Sequence, residues 1–188
     1  LCLCTLLCMN AQNPYKRYTE NLPFAMPEVK APVIPDANVI LTDFGADATG
    51  QVLCTEAFAK AVDALAAKGG GHLIVPAGVW FTGPIQMKSN IDLHLEMVAV
   101  IKFAADETLY PVIKTSFEGL DTRRCQSPLS AYDCTNISIT GQGAIDGNGE
   151  YWRPVKKAKV TESHWKRIMA IPGSVELKKD YWVPSEGY

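Results

Sequence analysis

The sequence predicts an all-β fold of short strands with one amphipathic helix ahead of them. From residue 72 onward, short runs rich in β-branched and aromatic residues alternate with Gly, Pro, Asn and Ser breaks, and a convincing helical pattern occurs only over 55–68. Outside the segment around Asp146-Gly147 there is no Asn-Gly or Asp-Gly hairpin dipeptide. A sandwich, a barrel or a coil of stacked parallel rungs fits this pattern. The scarcity of hairpin turns favours the parallel coil but leaves the sandwich open.

The predicted helix runs from Thr55 to Lys68. Thr55 is expected to cap its first amides, and Gly69 to Gly71 are expected to end it. One face is apolar because hydrophobic residues recur at spacings of three and four. They are Phe58, Ala61, Val62 and Leu65. Since the open end of a coil of rungs needs a cover, we expect this helix to be the cap over the first rung.

The predicted strands follow a period of two. Ile91, Leu93 and Leu95 alternate with Asp92 and His94, so this strand has one buried and one solvated face. The predicted strands are Val39–Leu41, Leu73–Val75, Val79–Thr82, Ile85–Met87, Ile91–Met97, Val98–Phe103, Val112–Ile113, Ile137–Ile139 and Ala144–Ile145. Trp80 and Phe81 lie within a strand and are assigned to packing.

The first 38 residues divide into two segments. Residues 1–11 start with an apolar run that is much shorter than the about 20 residues of a membrane span, and we interpret them as the remnant of a signal peptide. Residues 12–38 contain five prolines and are expected to form an extended arm without helix. The remaining 39–188 form the predicted β-helical domain. The protein is therefore expected to be secreted, to the periplasm or the extracellular space.

The charge is unevenly distributed along the chain. The net charge of −2 and the pI of about 5.9 exclude a general attraction to nucleic acid or anionic membranes. Residues 151–188, however, carry eight Lys or Arg against four Asp or Glu, together with Trp152, Trp165 and Trp182. Such a segment could stack on sugar rings and bind carboxylates, or it could be a solvated loop whose tryptophans pack.

Cysteine and histidine give no metal site. Cys54, Cys125 and Cys134 remain after removal of residues 1–11; they are expected as free thiols, with a Cys125–Cys134 disulfide as the alternative. The three histidines have no paired metal-ligand spacing and are expected to stand alone as structural residues. They are His72, His94 and His164. No metal and no cofactor are expected.

Two polar residues are expected at corners of the chain. Asp146 lies between glycine-rich turns, where a carboxylate accepts backbone N–H groups, so a corner is favoured over a catalytic role. Asn136 starts an Asn-x-Ser triplet, which is a glycosylation acceptor pattern, but it too is expected at a corner.

Four sequence blocks resemble glycoside hydrolase family 28, the polygalacturonases and related pectin hydrolases. They are Thr42–Ala46 with the following helix, Gly69–Gly78, Phe81–Ile85 with Ser89–Leu93, and Asn136–Gly149 with Trp152. The resemblance covers about Val39 to Trp152. It implies a right-handed, pectin-lyase-like parallel β-helix, here truncated on its C-terminal side, and inverting acid/base hydrolysis of α-1,4 galacturonosyl linkages. It also implies a pectic polysaccharide, galacturonan or rhamnogalacturonan, as the substrate of a monomeric enzyme.

The resemblance places the catalytic motifs downstream of the Gly-x-Ile-Asp-Gly block, and none of them occurs in this sequence after Gly147. There is no Asp-Asp pair, Gly71-His72-Leu73 lacks the second glycine of Gly-His-Gly, and Arg167-Ile168-Met169 has methionine in place of lysine. No catalytic, cofactor-binding or metal residue is therefore assigned, and the chain alone is expected to be inactive. A polysaccharide lyase and a non-catalytic carbohydrate-binding β-helix remain the alternatives.

Overall fold

The computed structural model describes residues 15–117 and 119–184. The chain separates into two compact units between Val33 and Ile34. The described part of the first unit contains one helical turn, α1 (Lys16–Thr19), and is otherwise irregular. The expectation that prolines exclude helix from this whole segment is wrong over α1, because no proline occurs between Pro14 and Pro23. The predicted signal-peptide remnant lies outside the described residues.

The second unit begins with strand β1 (Asn38–Ile40) and the helix α2 (Thr55–Ala67). Leu41, predicted to end the strand, instead begins a 3₁₀ turn. The predicted apolar stripe of α2 is buried, and α2 contacts the first strands of the coil, as expected for a cap. The predicted role of Thr55 as a helix cap is wrong. Its hydroxyl instead accepts the Gly83 N–H at 2.7 Å, because the loop that follows the strand Gly78–Thr82 approaches the start of α2.

The strands follow one another in short steps along the chain. The first five after the helix are β2 (Gly71–Val75), β3 (Gly78–Thr82), β4 (Ile85–Gln86), β5 (Ile91–Leu95) and β6 (Ala99–Phe103). Then come β7 (Val112–Phe117), β8 (Leu120–Cys125), β9 (Leu129–Ser130), β10 (Ser138–Gly141) and β11 (Ala144–Asp146). The last elements are α3 (Gly149–Trp152), β12 (Val155–Lys156), α4 (Glu162–Met169), β13 (Val175–Leu177) and β14 (Tyr181–Val183).

Three parallel sheets make the coil. The first sheet has the order β1-β2-β5-β10, the second β3-β6-β11 and the third β4-β9. The chain thus visits the first, second and third sheets in turn and then returns to the first. Parallel pairing of this kind excludes the sandwich, whose sheets are antiparallel. The predicted parallel β-helix is confirmed.

Equivalent side chains stack between successive rungs. In the first sheet Leu73 pairs with Leu93, which pairs with Ile139. In the second sheet Trp80 pairs with Ile101, and both are fully buried. The indole Nε1–H of Trp80 donates to the Pro76 carbonyl at 2.8 Å, which satisfies its only polar atom. The predicted packing role of Trp80 is confirmed.

The corners also stack. Asn90 and Asn136 both have positive φ, 63° and 56°, and the Asn136 amide donates to the Asn90 side-chain oxygen at 2.9 Å. The Asp146 carboxylate accepts the Asn148 N–H at 2.9 Å. Both predicted corners are confirmed. Gly141, with φ of 96°, must be glycine because a Cβ there would overlap the Leu95 carbonyl.

Two segments leave the coil, and neither was predicted in detail; we call them the first and the second insertion. The first contains the antiparallel hairpin β7–β8, which follows the second-sheet strand β6. The second follows the second-sheet strand β11 and contains α4 and the antiparallel sheet β12-β14-β13. Trp165, Ile168 and Trp182 form its own small core. Both insertions therefore leave the coil after the same sheet, in successive turns.

Candidate functional site

A pocket of about 310 Å³ lies where the first insertion meets the start of the second, and we call it the insertion pocket. It mixes apolar, aromatic, amide, hydroxyl and guanidinium groups, a composition suited to a polar small molecule. Its lining consists of Ile113, Thr115, Ser116, Arg124, Cys125, Gln126, Ser127, Pro128, Tyr132 and Trp152.

Trp152 forms the wall contributed by the second insertion. Its ring meets those of Tyr110 and Tyr151 edge to face, with centroid distances of 4.9 and 5.2 Å. These contacts fix the orientation of the indole. The buried Nε1–H of Trp152 has no hydrogen-bond partner among the described residues. A buried donor without a partner is unfavourable, so this N–H is the polar group of Trp152 that would gain most from an acceptor.

The two tyrosines hold this wall in place. The Tyr110 hydroxyl donates to the Ala104 carbonyl at 2.9 Å, and burial together with the charge of Asp106 raises its pKa to about 12. The Tyr151 hydroxyl donates to the Glu107 carboxylate. Burial and that hydrogen bond raise the pKa of Tyr151 as well. Both hydroxyls therefore stay protonated at neutral pH and serve as fixed donors.

The hairpin forms the opposite wall and presents one guanidinium. Arg124 lines the insertion pocket, whereas its neighbour Arg123 lies along a separate groove on the other side of the hairpin. This follows from the alternation of side chains along a strand. Cys125 also lines the pocket, and burial raises the pKa of its thiol, so it remains protonated. Tyr132, half exposed, adds an aromatic face.

These groups match the chemistry of an acidic sugar. A guanidinium binds a carboxylate through paired N–H donors, an aromatic face packs on a sugar ring, and an indole N–H donates to a hydroxyl or carboxylate oxygen. The pocket volume suits a small ligand of about monosaccharide size. Gln126 is already engaged, since its amide donates to Ser130 at 3.0 Å.

A second polar cluster lies on the outer face of the first sheet. The prediction that the histidines stand alone is wrong for His72 and His94, because both meet the buried Asp92, which is 2% exposed. His72 Nδ1 donates to Asp92 at 2.9 Å, and His94 Nδ1 donates to the Thr140 hydroxyl at 2.7 Å. The third histidine, His164, lies half-buried in α4.

Asp92 is held as an anion by its neighbours. Burial raises its pKa, but hydrogen bonds from His72, Ser138 and Thr140 outweigh that effect and bring the pKa below its ordinary value of 3.8. Ser138 and Thr140 lie 2.7 and 2.8 Å from the carboxylate. All of its oxygens are thus engaged by groups on β2 and β10. This arrangement joins three successive rungs, and the carboxylate is too buried to meet a substrate.

The remaining predicted groups fall in separate places. Cys54, Cys125 and Cys134 form no disulfide among the described residues, and Cys54 is buried. Within 15–117 and 119–184, no group of three potential metal ligands has a metal-binding arrangement. Over the same residues, no helix is long and apolar enough to cross a membrane. Trp165 and Trp182 are buried, so neither can stack on a sugar as considered for this segment.

Sequence reasoning missed the pocket residues Arg124 and Tyr132. Only the strand over Val112–Ile113 was predicted, and its partner strand β8 is too polar to show a β pattern. The single available signal was Gly119, which adopts a φ of 81° in the hairpin turn.

The stacked parallel rungs and the capping helix define a β-helical protein of the type found in polysaccharide-degrading enzymes. No family model matches the chain. A probable polygalacturonase from Vitis vinifera is 39% identical over 121 residues, which are 60% of this chain and 25% of that protein. The chain therefore spans about a quarter of the length of this curated relative.

Two solved structures agree with this relationship. The exopolygalacturonase of Thermotoga maritima is 47% identical with a TM-score of 0.60, over 63% of this chain and 26% of that one. The family 28 exopolygalacturonase of Yersinia enterocolitica is 25% identical with a TM-score of 0.56, over 80% and 25%. The predicted resemblance to glycoside hydrolase family 28 is confirmed, and the chain is homologous to part of these polygalacturonases.

Proposed function

We propose that this chain is part of a glycoside hydrolase that cleaves α-1,4 galacturonosyl linkages in pectin-type polysaccharides. The observation that carries the proposal is the match, in both sequence and fold, to an exopolygalacturonase. The insertion pocket supports it independently, because a guanidinium, aromatic faces and an indole donor suit a galacturonate residue. Within this function, the role of the chain itself is substrate binding.

The reaction proposed is hydrolysis with inversion. It needs one carboxylic acid to protonate the glycosidic oxygen and one carboxylate, about 6.5 to 9.5 Å away, to activate a water on the opposite face. Asp92 and Asp146 do not supply this pair. Asp92 is engaged by three donors in a stack of rungs, and Asp146 holds a corner. We therefore expect no release of reducing ends from polygalacturonate by these 188 residues alone.

We also propose an exo mode of cleavage, in which the pocket receives the terminal residue of the polymer. Two insertions leave the same sheet in successive turns, and the Tyr110–Trp152 contact joins them. Such a joined pair can close one end of a groove along the coil, whereas an open groove would let the polymer run through. Two structural relatives, both exopolygalacturonases, support this assignment.

The setting proposed for this activity is outside the cytoplasm. Pectic polysaccharides are too large to enter a cell before they are cut, so an enzyme acting on them is needed in the periplasm or the extracellular space. The apolar start of residues 1–11 supports a secretory route. We propose that the complete enzyme is a monomer.

The direct test is calorimetric titration of trigalacturonate into the chain and two matched variants. Arg124→Gln removes the guanidinium that lines the pocket, and Arg123→Gln removes the same charge on the other side of the hairpin. We expect Arg124→Gln to weaken binding by about tenfold, since a charge-assisted pair is lost, and Arg123→Gln to change it less than about twofold.

Two results would contradict the proposal. Equal weakening in both variants would mean that the pocket does not select the carboxylate, and absence of binding by the unmodified chain would exclude a uronate site. Titration of neutral trigalactose provides the ligand control, because it has the ring hydroxyls without the carboxylates and should bind at least about tenfold more weakly.

A further inference from the structure

Four lysines converge at one end of the small antiparallel sheet in the second insertion, and we call them the lysine edge: Lys156, Lys157, Lys178 and Lys179. Lys156 lies opposite Tyr181 in the β12–β14 pair, and Lys157 N–H donates to the Asp180 carbonyl at 2.8 Å. Lys178 and Lys179 form the turn that leads into Asp180. The topology therefore places all four near the start of β14.

All four lysines are exposed, and two of them are positioned by aromatic rings. The Nζ of Lys156 lies 5.1 Å from the ring centroid of Tyr181, and that of Lys157 lies 5.4 Å from the ring centroid of Trp165. A hydrogen bond with the Tyr181 side chain raises the pKa of Lys156. Ring contacts of this kind restrict flexible side chains and reduce the entropy lost on binding an anion.

Within the part of the chain that the structure describes, the nearby Asp180 offsets only part of the positive charge of the lysine edge. No ion pair to a carboxylate is formed by any of the four, whereas nearby Lys166 pairs with Glu162 at 3.1 Å. A cluster of only partly offset cations on a small surface attracts a polyanion, and the attraction is screened by salt.

We propose that the lysine edge binds an acidic polysaccharide, a polyuronate, at a surface outside the insertion pocket. This inference rests on the proposed function and names a second binding surface for the same substrate. Lysine suits the binding of a polyuronate because its ammonium is a point charge on a flexible stem, which can pair with successive carboxylates in many orientations. A polymer held there is retained between encounters with the pocket.

Buried aromatic rings favour a polysaccharide over a single-stranded nucleic acid. Proteins that bind single strands stack bases on exposed aromatic side chains. Here Trp165 and Trp182 are only 6% and 2% exposed, and the half-buried ring of Tyr181 already contacts Lys156, so the lysine edge offers charge without a fully exposed aromatic platform. Recognition through charge alone fits a chain of carboxylates.

The turn permits a variant that removes two charges without disturbing the fold. Lys178 and Lys179 have positive φ, 53° and 65°, a combination that Asn-Gly adopts most readily. Lys178→Asn with Lys179→Gly should therefore keep the turn. The matched control is Lys60→Gln with Lys68→Gln. It removes the same number of positive charges, within α2 and at its C-cap, outside both insertions.

The experiment is affinity electrophoresis of the full chain in gels containing sodium polygalacturonate, highly methyl-esterified pectin or neutral dextran. At low salt we expect the turn variant to bind polygalacturonate at least about threefold more weakly than the unmodified chain, and the control to bind as the unmodified chain does. The difference should disappear at about 0.5 M salt, and esterified pectin should not retard any of the three.

Three outcomes would overturn the proposal. These are equal retardation of the turn variant and the unmodified chain, an equal loss in the α2 control, or tighter binding to single-stranded DNA than to polygalacturonate. Trigalacturonate titration separates the two proposals. If trigalacturonate binds but polygalacturonate retards the turn variant as much as the unmodified chain, only the proposal for the lysine edge is wrong. If neither trigalacturonate nor polygalacturonate binds, the proposed function is wrong as well.

Discussion

The rungs and the insertions of this chain differ in how completely their polar groups are satisfied. In the rungs, Asp92 receives three hydrogen bonds and the Trp80 indole has its acceptor. In the insertions, the Trp152 indole has no partner among the described residues, and the four lysines of the lysine edge form no ion pair among those residues. Saturated groups hold a structure together, while unsatisfied ones are available for a ligand. The comparison assigns stability to the rungs and recognition to the insertions.

Trp80→Ala tests whether the rungs supply the stability of the chain, because it removes their largest fully buried side chain. We expect a loss of about 3–5 kcal/mol in the free energy of unfolding, from lost burial and a cavity. Urea denaturation monitored by circular dichroism measures it. Val79→Ala, one position earlier and 37% exposed, is the control and should cost less than about 1 kcal/mol. Similar losses for both would mean that the rung core is not tightly packed.

Asp92→Asn tests whether the polar ladder stabilises the rungs. The amide accepts fewer hydrogen bonds than the carboxylate and brings two donors into a ring of donors, so we expect a loss of about 1–3 kcal/mol at neutral pH. Because the folded-state pKa of Asp92 is depressed, its contribution is present above the ordinary value of 3.8 and is lost as pH falls through the folded pKa.

The pH dependence makes this prediction specific. The stability difference between Asp92→Asn and the unmodified chain should shrink as the pH falls below about 4, when measured by urea denaturation from pH 7 to pH 3. A difference that stays constant over this range would show that Asp92 acts through packing rather than as an anion.

Trp152→Phe tests the opposite property in the insertions. Phenylalanine keeps an aromatic ring against Tyr110 but removes the buried donor, so stability should stay within about 1 kcal/mol of the unmodified chain. Binding of trigalacturonate should fall by about three- to tenfold, since one hydrogen bond to the ligand is lost. Thermal denaturation and calorimetry give the two values. Unchanged affinity would remove Trp152 from the site.

The smallest expected effect is on the stability of the second insertion. Lys178→Asn with Lys179→Gly should stabilise the β13–β14 turn by up to about 1 kcal/mol, because both positions have positive φ. Amide hydrogen exchange of the β14 residues measures this locally. Faster exchange in the variant would show that the lysines themselves hold the turn.

The coil could be predicted from sequence because its rungs are built from local alternation, as at Ile91, Leu93 and Leu95. The polar ladder could not, although His72 and Asp92 are 20 residues apart, which is one turn of the coil. That relation becomes visible only when the rung length is known. The hairpin was missed because its polar strand β8 buries little and its turn contains no Asn-Gly.

Less of the candidate site than of the fold could be predicted from the sequence. Its wall comes from two insertions whose sequences carry no periodic signal, and Arg124 and Trp152 meet there only because both insertions leave the same sheet. The basic character of 151–188 was evident from composition, but the burial of Trp165 and Trp182 depends on a small core that only the structure reveals.

The most direct test of the account is the indole N–H resonance of Trp152 in a two-dimensional ¹H–¹⁵N spectrum, assigned by its absence in Trp152→Phe. On titration with trigalacturonate, we expect this signal to shift with saturation, while those of Trp80, Trp165 and Trp182 stay in place. A Trp152 signal that does not move when the ligand is in large excess would contradict the assignment of recognition to the insertion pocket.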